Sequence, residues 1–414
     1  MMKVVIVGGG IIGLCSAYYL VKEGIAVTVI DKGNITSGAS FVNAGFLTPS
    51  HIFPLAEPGI ITKGLKWMLK SDSPFYIQPR FDTEFFRWAL RFRNSATREK
   101  VEKAIPVLKE FNLKSRDLFD EIHDSMDFEF HYQNKGILSV YKTEKAAIAE
   151  EKVAARAKEE GLENKQITQE ELQKLEASFS KDVLGAVHYS CDRHSTPNSF
   201  MENLKKDLEQ KGVIFAINQE VTGFEKNERK IISVYTKEKS YFADEFVLAS
   251  GSWTTGLARK LQLQIPIQPG KGYSIDVKRH LNIQIPAILS ESKIAVTPMD
   301  GFTRFAGTME FSGSNDFIRK NRVEAIAKAV PSYYKEIEIT ASERRMANCG
   351  LRPVSPDGLP FIGKTSKYKN LNLASGHAMI GWSTGPATGK MISEIIMGKP
   401  VFMKTSAFEP ERFA

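Results

Sequence analysis

The fold class is decided by residues 4–13, Val4-Val5-Ile6-Val7-Gly8-Gly9-Gly10-Ile11-Ile12-Gly13. The four apolar residues predict a short buried strand, and residues 11–22 predict a helix that ends at Gly24. Residues 27–31 predict a second strand, in which Val27 and Val29 are β-branched. The order strand, glycine turn, helix and strand is that of a βαβ unit, which indicates a parallel sheet covered by helices.

The glycines of this unit satisfy the pattern G-x-G-x-x-G, which is typical of dinucleotide binding. Gly8 permits the tight turn, Gly10 lets the backbone approach a pyrophosphate, and Gly13 allows the helix to pack close to the sheet. The helix N-terminus offers free N–H groups and the positive end of its dipole to the phosphates. Asp31 closes the second strand 18 residues after Gly13, where its carboxylate can bind a ribose. FAD and NAD both fit this unit.

The composition limits the classes of protein to consider. The chain has 414 residues, 42% of them hydrophobic, and a net charge of +8, which predicts a globular protein of two domains. The basic residues are dispersed, so no nucleic-acid partner is expected, whereas an anionic cofactor or substrate is compatible with the charge. The three distant cysteines, Cys15, Cys191 and Cys349, argue against a disulfide framework and fit a reducing compartment. No cluster has the spacing of metal ligands, so no metal is expected.

Residues 4–21 contain no charged side chain and could be mistaken for a membrane span. The three consecutive glycines from Gly8 to Gly10 lie inside this run, so a strand, a turn and a buried helix explain it better. The run also lacks the features of a secretory signal. We therefore expect a cytoplasmic protein.

The residues that follow the βαβ unit distinguish the two cofactors. Residues 33–50 are rich in Gly, Ser, Ala and Asn and predict an extended loop, and residues 51–93 are aromatic with several prolines. An NAD dehydrogenase would continue with regular βα units, so this pattern favours FAD. Helices are predicted at 85–92 with an apolar core face, at 99–125, at 144–160, and after Thr168, whose capping box is completed by Glu171.

Both ends of the chain carry a resemblance to a known family. The start, the loop Ser40-Phe41-Val42-Asn43-Ala44-Gly45-Phe46, the stretch Gly350-Leu351-Arg352-Pro353 and the loop 376–385 resemble the D-amino-acid oxidase family of flavoproteins. Its members include glycine and sarcosine oxidases and bacterial D-amino-acid dehydrogenases. The resemblance covers nearly the whole chain. The dehydrogenase branch is favoured by residues 51–59, Lys66-Trp67-Met68, Phe86-Arg87-Trp88 and Lys271-Gly272-Tyr273-Ser274.

The resemblance implies FAD as the cofactor. The loop after the second strand would wrap the pyrophosphate and ribityl chain, and the last glycine-containing loop would present N–H groups to the N1/O2 edge of the flavin. Cys349 lies one residue before the position of the sarcosine oxidase cysteine, so FAD is expected to be non-covalent. The residues implied to bind FAD are Gly8, Gly10, Ile11, Ile12, Gly13, Asp31, Lys32, Ser40, Asn43, Ala44, Gly45, Phe46, Val221, Ser250, Gly251, Trp253, Gly376, His377, Met379, Ile380, Gly381, Trp382, Ser383 and Thr384.

The resemblance also implies how a substrate is bound. The arginine that matches Arg352 pairs with the substrate carboxylate in this family, through two parallel charge-assisted hydrogen bonds. Tyr273 is expected either to help bind that carboxylate or to be a core aromatic. His377 is expected to be structural or to contact the flavin rather than to act as a base. The implied chemistry is hydride transfer from the substrate Cα to flavin N5, which gives an imine or a 2-oxo acid.

The implied activity is oxidative deamination of a D-amino acid of the D-alanine, D-proline or hydroxy-D-proline class, as part of amino-acid catabolism. Electrons would pass to a quinone or other respiratory carrier, which implies peripheral contact with the inner face of the bacterial plasma membrane. Two alternatives stay open. One is a glycine or sarcosine type of oxidase that uses oxygen, and the other is a non-catalytic FAD-containing subunit of an amine dehydrogenase complex.

The expected architecture is α/β, with a Rossmann-like FAD-binding domain interleaved with an α+β substrate domain that is built on a mixed sheet. No Pro/Gly/Ser-rich linker separates two sequential halves, so the domains are expected to be interwoven. The FAD-binding domain is predicted to comprise residues 1–50, 150–262 and 345–414, and the substrate domain residues 51–149 and 263–344. The oligomeric state is left open.

Overall fold

A computed structural model describes residues 1–60, 62, 64, 73–126 and 128–414. The strands are β1 (Lys3–Val7), β2 (Ala26–Ile30), β3 (Phe46–Leu47), β4 (Phe75–Ile77), β5 (Tyr132–Gln133), β6 (Ile137–Tyr141), β7 (Asn164–Thr168), β8 (Gly185–Tyr189), β9 (Arg193–Ser195), β10 (Ile214–Ala216), β11 (Gly223–Asn227), β12 (Lys230–Tyr235), β13 (Ser240–Phe242), β14 (Glu245–Leu248), β15 (Gln268–Val277), β16 (Ala287–Leu289), β17 (Ile294–Met299), β18 (Phe302–Phe311), β19 (Asn348–Val354), β20 (Phe361–Lys364) and β21 (Leu371–Ser375).

The helices connect and cover these strands. They are α1 (Ile11–Lys22), α2 (Gly38–Phe41), α3 (Thr83–Ser95), α4 (Arg98–Ser125), α5 (Glu144–Glu159), α6 (Gln169–Leu175), α7 (Pro197–Gln210), α8 (Thr254–Lys260), α9 (Lys320–Ala329), α10 (Ala341–Arg345) and α11 (Gly385–Met397). Short 3-10 helices lie at Gly251–Trp253, Val330–Ser332 and Ser406–Phe408. The helices predicted at 99–125 and 144–160 are confirmed, as is the capping box of Thr168 and Glu171.

The predicted βαβ unit is confirmed, because β1 and β2 pair in parallel on either side of α1 in the sequence. It belongs to a six-stranded sheet of order β10-β2-β1-β14-β21-β20. Neighbours in this sheet are parallel, except that β20 is antiparallel to β21. Parallel neighbours place their carboxyl ends at one edge, so the loops after β1, β2 and β14 meet where ligands bind to such sheets.

The first and last long helices, α1 and α11, pack against each other over this sheet. Gly389 of α11 lies directly on the backbone of α1, because a Cβ at this position would come closer than 3.0 Å to the carbonyl group of Cys15. Cys15 is fully buried at the same contact. The two ends of the sequence are thus joined through a backbone-to-backbone approach that only a glycine permits.

We expect Gly389→Ala to lower the free energy of unfolding by about 1–3 kcal/mol, because the added methyl group would overlap packed backbone. Gly256→Ala is the matched control, since Gly256 also lies in a helix and has nothing within 4 Å of its Cβ position. There alanine should stabilise the helix by about 0.5–1 kcal/mol. Denaturant unfolding of both variants measures the difference, and equal effects would contradict the tight contact.

A second sheet has nine strands in the described part of the chain. Its order is β19-β15-β18-β17-β16-β6-β8-β7, and β4 pairs with β18. The pairs β6–β16 and β4–β18 are parallel and the others are antiparallel. The expected mixed sheet is thereby confirmed, together with the α/β class. Two small three-stranded sheets, β11-β12-β13 and β3-β9-β5, complete the topology.

The division of strands between the two large sheets differs from the predicted division of the chain into two domains. Strands β7 and β8 lie within predicted FAD segment 150–262, yet they belong to the nine-stranded sheet. Strand β19 lies within segment 345–414 and forms an edge of that same sheet. Local patterns show where a strand lies in the sequence but not which sheet it joins. Where the domain boundaries fall stays a prediction, and sheet membership favours a boundary after β8 rather than at residue 150.

Helix α3 shows the predicted core face. Phe85 and Trp88 are buried and pack with Phe311 and Val354, and the Trp88 indole N–H donates to the Val354 carbonyl oxygen at 3.0 Å. Phe86, between them in sequence, is exposed. The segment Lys66-Trp67-Met68, used above for the dehydrogenase resemblance, lies outside the described residues.

Across the described ranges, no helix combines the length and apolarity needed to cross a membrane. Within the same ranges, no group of His, Cys, Asp and Glu side chains is arranged to hold a metal ion.

Candidate active site

The glycine loop after β1 is held in close contact with its neighbours. Gly8 has φ +114°, and a Cβ there would come within 3.0 Å of the Ala249 carbonyl at the end of β14. A Cβ on Gly13 would collide with the Gly8 carbonyl oxygen. Gly10 provides no side-chain cap for helix α1. The Ile11 N–H donates to the Ser40 hydroxyl at 3.1 Å, and the next N–H groups of the first turn are left for an anion.

Asp31 ties this loop to the end of β2. One carboxylate oxygen accepts from the Gly9 N–H at 2.6 Å and the other from the Gly33 N–H at 2.7 Å. A carboxylate has further lone pairs, so these bonds fix its orientation while leaving acceptor capacity for a ribose hydroxyl. Next to it the Lys32 ammonium lies 3.5 Å from the centre of the Trp253 ring.

A cavity of about 650 Å³ extends from this loop along the carboxyl edge of the six-stranded sheet. Its shape and lining suit a dinucleotide. The predicted FAD-binding residues that line it are Gly8, Gly10, Ile11, Ile12, Asp31, Lys32, Ser40, Asn43, Val221, Ser250, Gly251, Trp253, His377, Gly381 and Trp382. Gln219, which the sequence did not single out, lines it as well.

A second cavity, of about 800 Å³, adjoins the first, and Ala39, Asn43 and Arg352 line both. Four further predicted residues, Ala44, Phe46, Met379 and Ile380, line only the second cavity. Five predicted residues line neither, namely Gly13, Gly45, Gly376, Ser383 and Thr384. Gly13 packs against the Gly8 carbonyl oxygen, and the other four have contacts or backbone conformations that fix their loops.

The loop between the two cavities is fixed to the nine-stranded sheet by a buried arginine. Arg304 forms a two-point ion pair with Asp276, at 2.7 and 2.8 Å, and also donates to the carbonyl oxygens of Phe41 and Asn43. Gly45 has φ +77° and donates its N–H to the Asn43 side chain at 2.8 Å. The sequence analysis missed Arg304. The signal available in the sequence was a charged residue among the apolar residues of strand β18.

The loop before α11 is also strongly constrained. Gly376 has φ +84°, and the Ser383 hydroxyl accepts from the Thr48 N–H at 3.0 Å. The Thr384 hydroxyl donates to the Ile380 carbonyl at 2.8 Å. These bonds hold the loop beside the junction of the two cavities without help from a ligand.

His377 provides a test of whether this site fits FAD. Thr388 donates its hydroxyl proton to the Thr384 carbonyl, so its oxygen accepts from His377 Nε2–H at 2.9 Å. The opposite nitrogen, Nδ1, is then an acceptor, and it has no partner among the described residues although it is buried. Burial lowers the pKa of His377 to about 3. A neutral, unsatisfied acceptor in the wall of the dinucleotide cavity fits a hydroxyl or N–H donor of the cofactor.

Arg352 lies where the two cavities meet. Its guanidinium rests on Gly272, where any Cβ would overlap it, and Nη1 donates to the Thr308 carbonyl oxygen at 2.8 Å. In the part of the chain that the structure describes, no carboxylate pairs with it. Burial lowers its pKa to about 10, so it remains a cation at neutral pH. Arg352 therefore presents a positive charge that has no counter-ion among the described residues.

The carbonyl that holds Arg352 belongs to a strained position. Thr308 has φ +71°, which is unusual for a β-branched residue. It lies where the pairing of β15 with β18 shifts register between Lys271 and Tyr273, which is a β-bulge. Strain of this kind persists where the surroundings enforce it and is frequent at functional sites.

Tyr273 lines the second cavity, but its hydroxyl is engaged elsewhere. It donates to Glu310 at 3.0 Å, and the same carboxylate accepts from Arg319 at 3.1 Å. The ring packs in the core with Ile275 and Val277. Successive side chains of a strand point to opposite faces, so Tyr273 points away from the face on which Arg352 covers Gly272. This arrangement favours the core role, and any role toward a carboxylate stays a prediction.

The second cavity is mostly apolar, and the region 51–93 supplies much of its wall, including Phe53, Phe75 and Phe85. The charged residues that line it are Arg93, Lys293 and Arg352. Neither Asp nor Glu is found among the described residues of its wall. The cavity is thus suited to an anion with an apolar body.

Cys349 lines neither cavity. Its thiol lies 3.3 Å from the Asp316 carbonyl oxygen, and burial raises its pKa. A raised pKa disfavours the reactive thiolate, which supports the prediction that FAD is not attached through Cys349.

Comparison of the sequence and the fold with known proteins shows the family to which the chain belongs. The family model described as DAO, FAD dependent oxidoreductase, matches residues 3–395. The chain therefore belongs to this family of FAD-dependent oxidoreductases, and FAD is its cofactor.

Within the family, the chain is 33% identical over 407 residues to a D-amino acid dehydrogenase of Vibrio vulnificus, with 96% of each chain covered. It is 30% identical over 419 residues to a D-amino acid dehydrogenase of Neisseria meningitidis, with 100% of both covered. Its fold is similar to that of a glycine oxidase from Geobacillus kaustophilus, with a TM-score of 0.79, 19% identity and full coverage of both chains.

We expect Gly10→Ala to weaken FAD binding by about tenfold or more, because a methyl group would occupy the space in which backbone approaches the phosphates. Of the described residues, only Ser40 has an atom within 4 Å of this Cβ position, its hydroxyl oxygen at 3.1 Å, so the fold should be retained. Titration of the apoprotein with FAD measures the affinity, and unfolding of the apoprotein is the control. An unchanged FAD affinity would contradict the assigned position of the pyrophosphate.

Proposed function

We propose that this protein oxidises a small D-amino acid, of the D-alanine, D-proline or hydroxy-D-proline class, to an imine or 2-oxo acid. The observation that carries the proposal is the cation of Arg352, which has no counter-ion within the described part of the chain and lies between the dinucleotide cavity and an apolar cavity. A substrate carboxylate would supply that counter-ion. The names of the relatives at about 30% identity support the D-amino acid class.

The protein's own groups would position and shield the substrate. Thr308 accepts from Nη1 of Arg352, which leaves the remaining guanidinium N–H groups for a carboxylate, and a planar guanidinium fixes its orientation as well as its location. The apolar wall would exclude water from the reacting carbon. Bound FAD supplies the oxidant for the C–H bond at that carbon. An acyclic imine product would hydrolyse to a 2-oxo acid and ammonia, whereas a cyclic amine would give a ring imine.

For the electron acceptor we propose a quinone or another respiratory carrier. The relatives are named dehydrogenases, and the wall of the apolar cavity includes the exposed side chains of Phe86 and Leu90. Exposed apolar residues beside a cavity suit a lipophilic acceptor and peripheral contact with the inner face of the plasma membrane. The alternative is an oxidase that uses oxygen, of the glycine or sarcosine type. Peroxide formed in proportion to substrate oxidised would establish that alternative.

We expect the visible flavin absorbance to bleach without oxygen when D-alanine, D-proline or cis-hydroxy-D-proline is added, and to persist with the L-enantiomers. Arg352→Met should lower kcat/KM by about 100-fold or more, because it leaves the substrate carboxylate buried without a partner. The FAD content of the variant is the control. Bleaching by glycine or sarcosine alone would support the oxidase. FAD that no amine bleaches would support the non-catalytic subunit.

We also expect a strong preference for neutral side chains. Arg93 and Lys293 lie in the cavity wall with Arg352, and juxtaposed like charges cost several kcal/mol. D-lysine should therefore have a kcat/KM about 100-fold or more below that of D-methionine, which has a similar length. Lys293→Glu should bring the kcat/KM of D-lysine closer to that of D-methionine, because it replaces a positive charge in the cavity wall with a negative one. Equal rates for the two substrates would show that the side chain does not enter the cavity described here.

A further inference from the structure

Three hydrogen-bonded polar side chains, those of Asp192, Ser50 and His51, lead from the protein core to the second cavity. The Ser50 hydroxyl donates to Asp192 Oδ2 at 2.6 Å, and Ser50 N–H donates to Asp192 Oδ1 at 3.0 Å. The Ser50 oxygen lies 3.2 Å from His51 Nδ1. Asp192 and Ser50 are buried, whereas His51 lines the cavity that contains Arg352. The three side chains therefore lead to the cavity that we propose to hold the substrate.

The order of donors in this chain determines which nitrogen of His51 carries the proton. An ionised Asp192 is only an acceptor, so the single proton of the Ser50 hydroxyl is directed to it. The Ser50 oxygen must then accept from His51 Nδ1–H. The other ring nitrogen, Nε2, is left with a free lone pair, and no described residue donates a hydrogen bond to it.

The electrostatic surroundings support this state. Burial, together with the positive charge of Lys293, lowers the pKa of His51 to about 4, so the ring is neutral at and above neutral pH. Burial raises the pKa of Asp192 to about 7, so Asp192 is mostly ionised at pH values above about 8. Lys293 lies 3.8 Å from Glu150, which partly balances its charge.

We propose that Nε2 of His51 accepts a hydrogen bond from the amine of the substrate, and that Asp192 and Ser50 hold the imidazole in the tautomer that this requires. The proposal rests on the proposed function, because it assumes an amino-acid substrate whose carboxylate is bound by Arg352. Two groups would then recognise the substrate. Arg352 would bind any carboxylate, and His51 would distinguish an amino acid from a carboxylate of the same shape that lacks the amine.

Two substitutions of His51 separate amine recognition from space filling. His51→Phe keeps a ring but removes the acceptor, whereas His51→Gln retains an acceptor on a flexible side chain. The ligands are D-proline and cyclopentanecarboxylate, or D-alanine and propionate, used with the FAD-bound protein at a pH above 8. The concentration dependence of the anaerobic bleaching rate gives the apparent Kd of the amine. Perturbation of the flavin spectrum gives the Kd of the carboxylate.

We expect His51→Phe to raise the Kd of the amino acid by about 10-fold to 100-fold, as for loss of a hydrogen bond to a charged group, and to change the Kd of the carboxylate by less than about twofold. His51→Gln should recover part of the loss. Arg352→Met should weaken both ligands. Equal losses for both ligands in His51→Phe, or no loss for either, would overturn the role of His51.

Ser50→Ala tests the positioning role separately. It should raise the Kd of the amino acid but leave that of the carboxylate unchanged, because the imidazole loses the partner that fixes its tautomer. An unchanged Kd of the amino acid would overturn the role assigned to Ser50 and Asp192. If the unmodified protein binds the carboxylate but no D-amino acid bleaches it, the proposed function fails. If only the role of His51 fails, D-amino acids still bleach the flavin, but His51→Phe does not weaken the amino acid more than the carboxylate.

Discussion

The arrangement of this site depends on the mostly buried cation of Arg352, which has no carboxylate partner in the described structure. Desolvating a guanidinium is costly unless its N–H groups are hydrogen-bonded and its charge is balanced. At Arg352 the protein supplies one carbonyl, from Thr308, and a flat surface, from Gly272. Each is a special position, since Thr308 is at positive φ and Gly272 has no room for a side chain. A bound anion would offset the remaining cost, so the affinity for a carboxylate that we propose would follow from an interaction that folding leaves incomplete.

Features set by local sequence could be predicted, and features set by distant contacts could not. The glycines at 8, 10 and 13 and the strand before them act within a few residues of one another, so the βαβ unit could be read directly. Arg304 depends on Asp276 and on Asn43, and Asp192 depends on Ser50. Those partners are far apart in the sequence, and only the folded chain brings them together.

Tyr273 illustrates a second limit of the sequence. The motif Lys271-Gly272-Tyr273-Ser274 carried information about the substrate site, but the glycine rather than the tyrosine touches the arginine. Alternation along a strand sends neighbours to opposite faces, and a bulge in the partner strand obscures which face is which. A motif can therefore mark the correct place in the fold while the ring of its most conspicuous residue packs in the core.

Strand β19 explains how the two cavities stay aligned. As an edge strand of the nine-stranded sheet, it would expose unpaired backbone groups, but the Leu351 carbonyl accepts from Ser252 and the Pro353 carbonyl accepts from the Ala378 N–H. Both donors belong to loops that border the dinucleotide cavity. Arg352, between these two residues, is thereby fixed relative to the cofactor loops. Residues 51–93 supply much of the wall of the apolar cavity, so side-chain preference could change there without moving the group that we propose to bind the carboxylate.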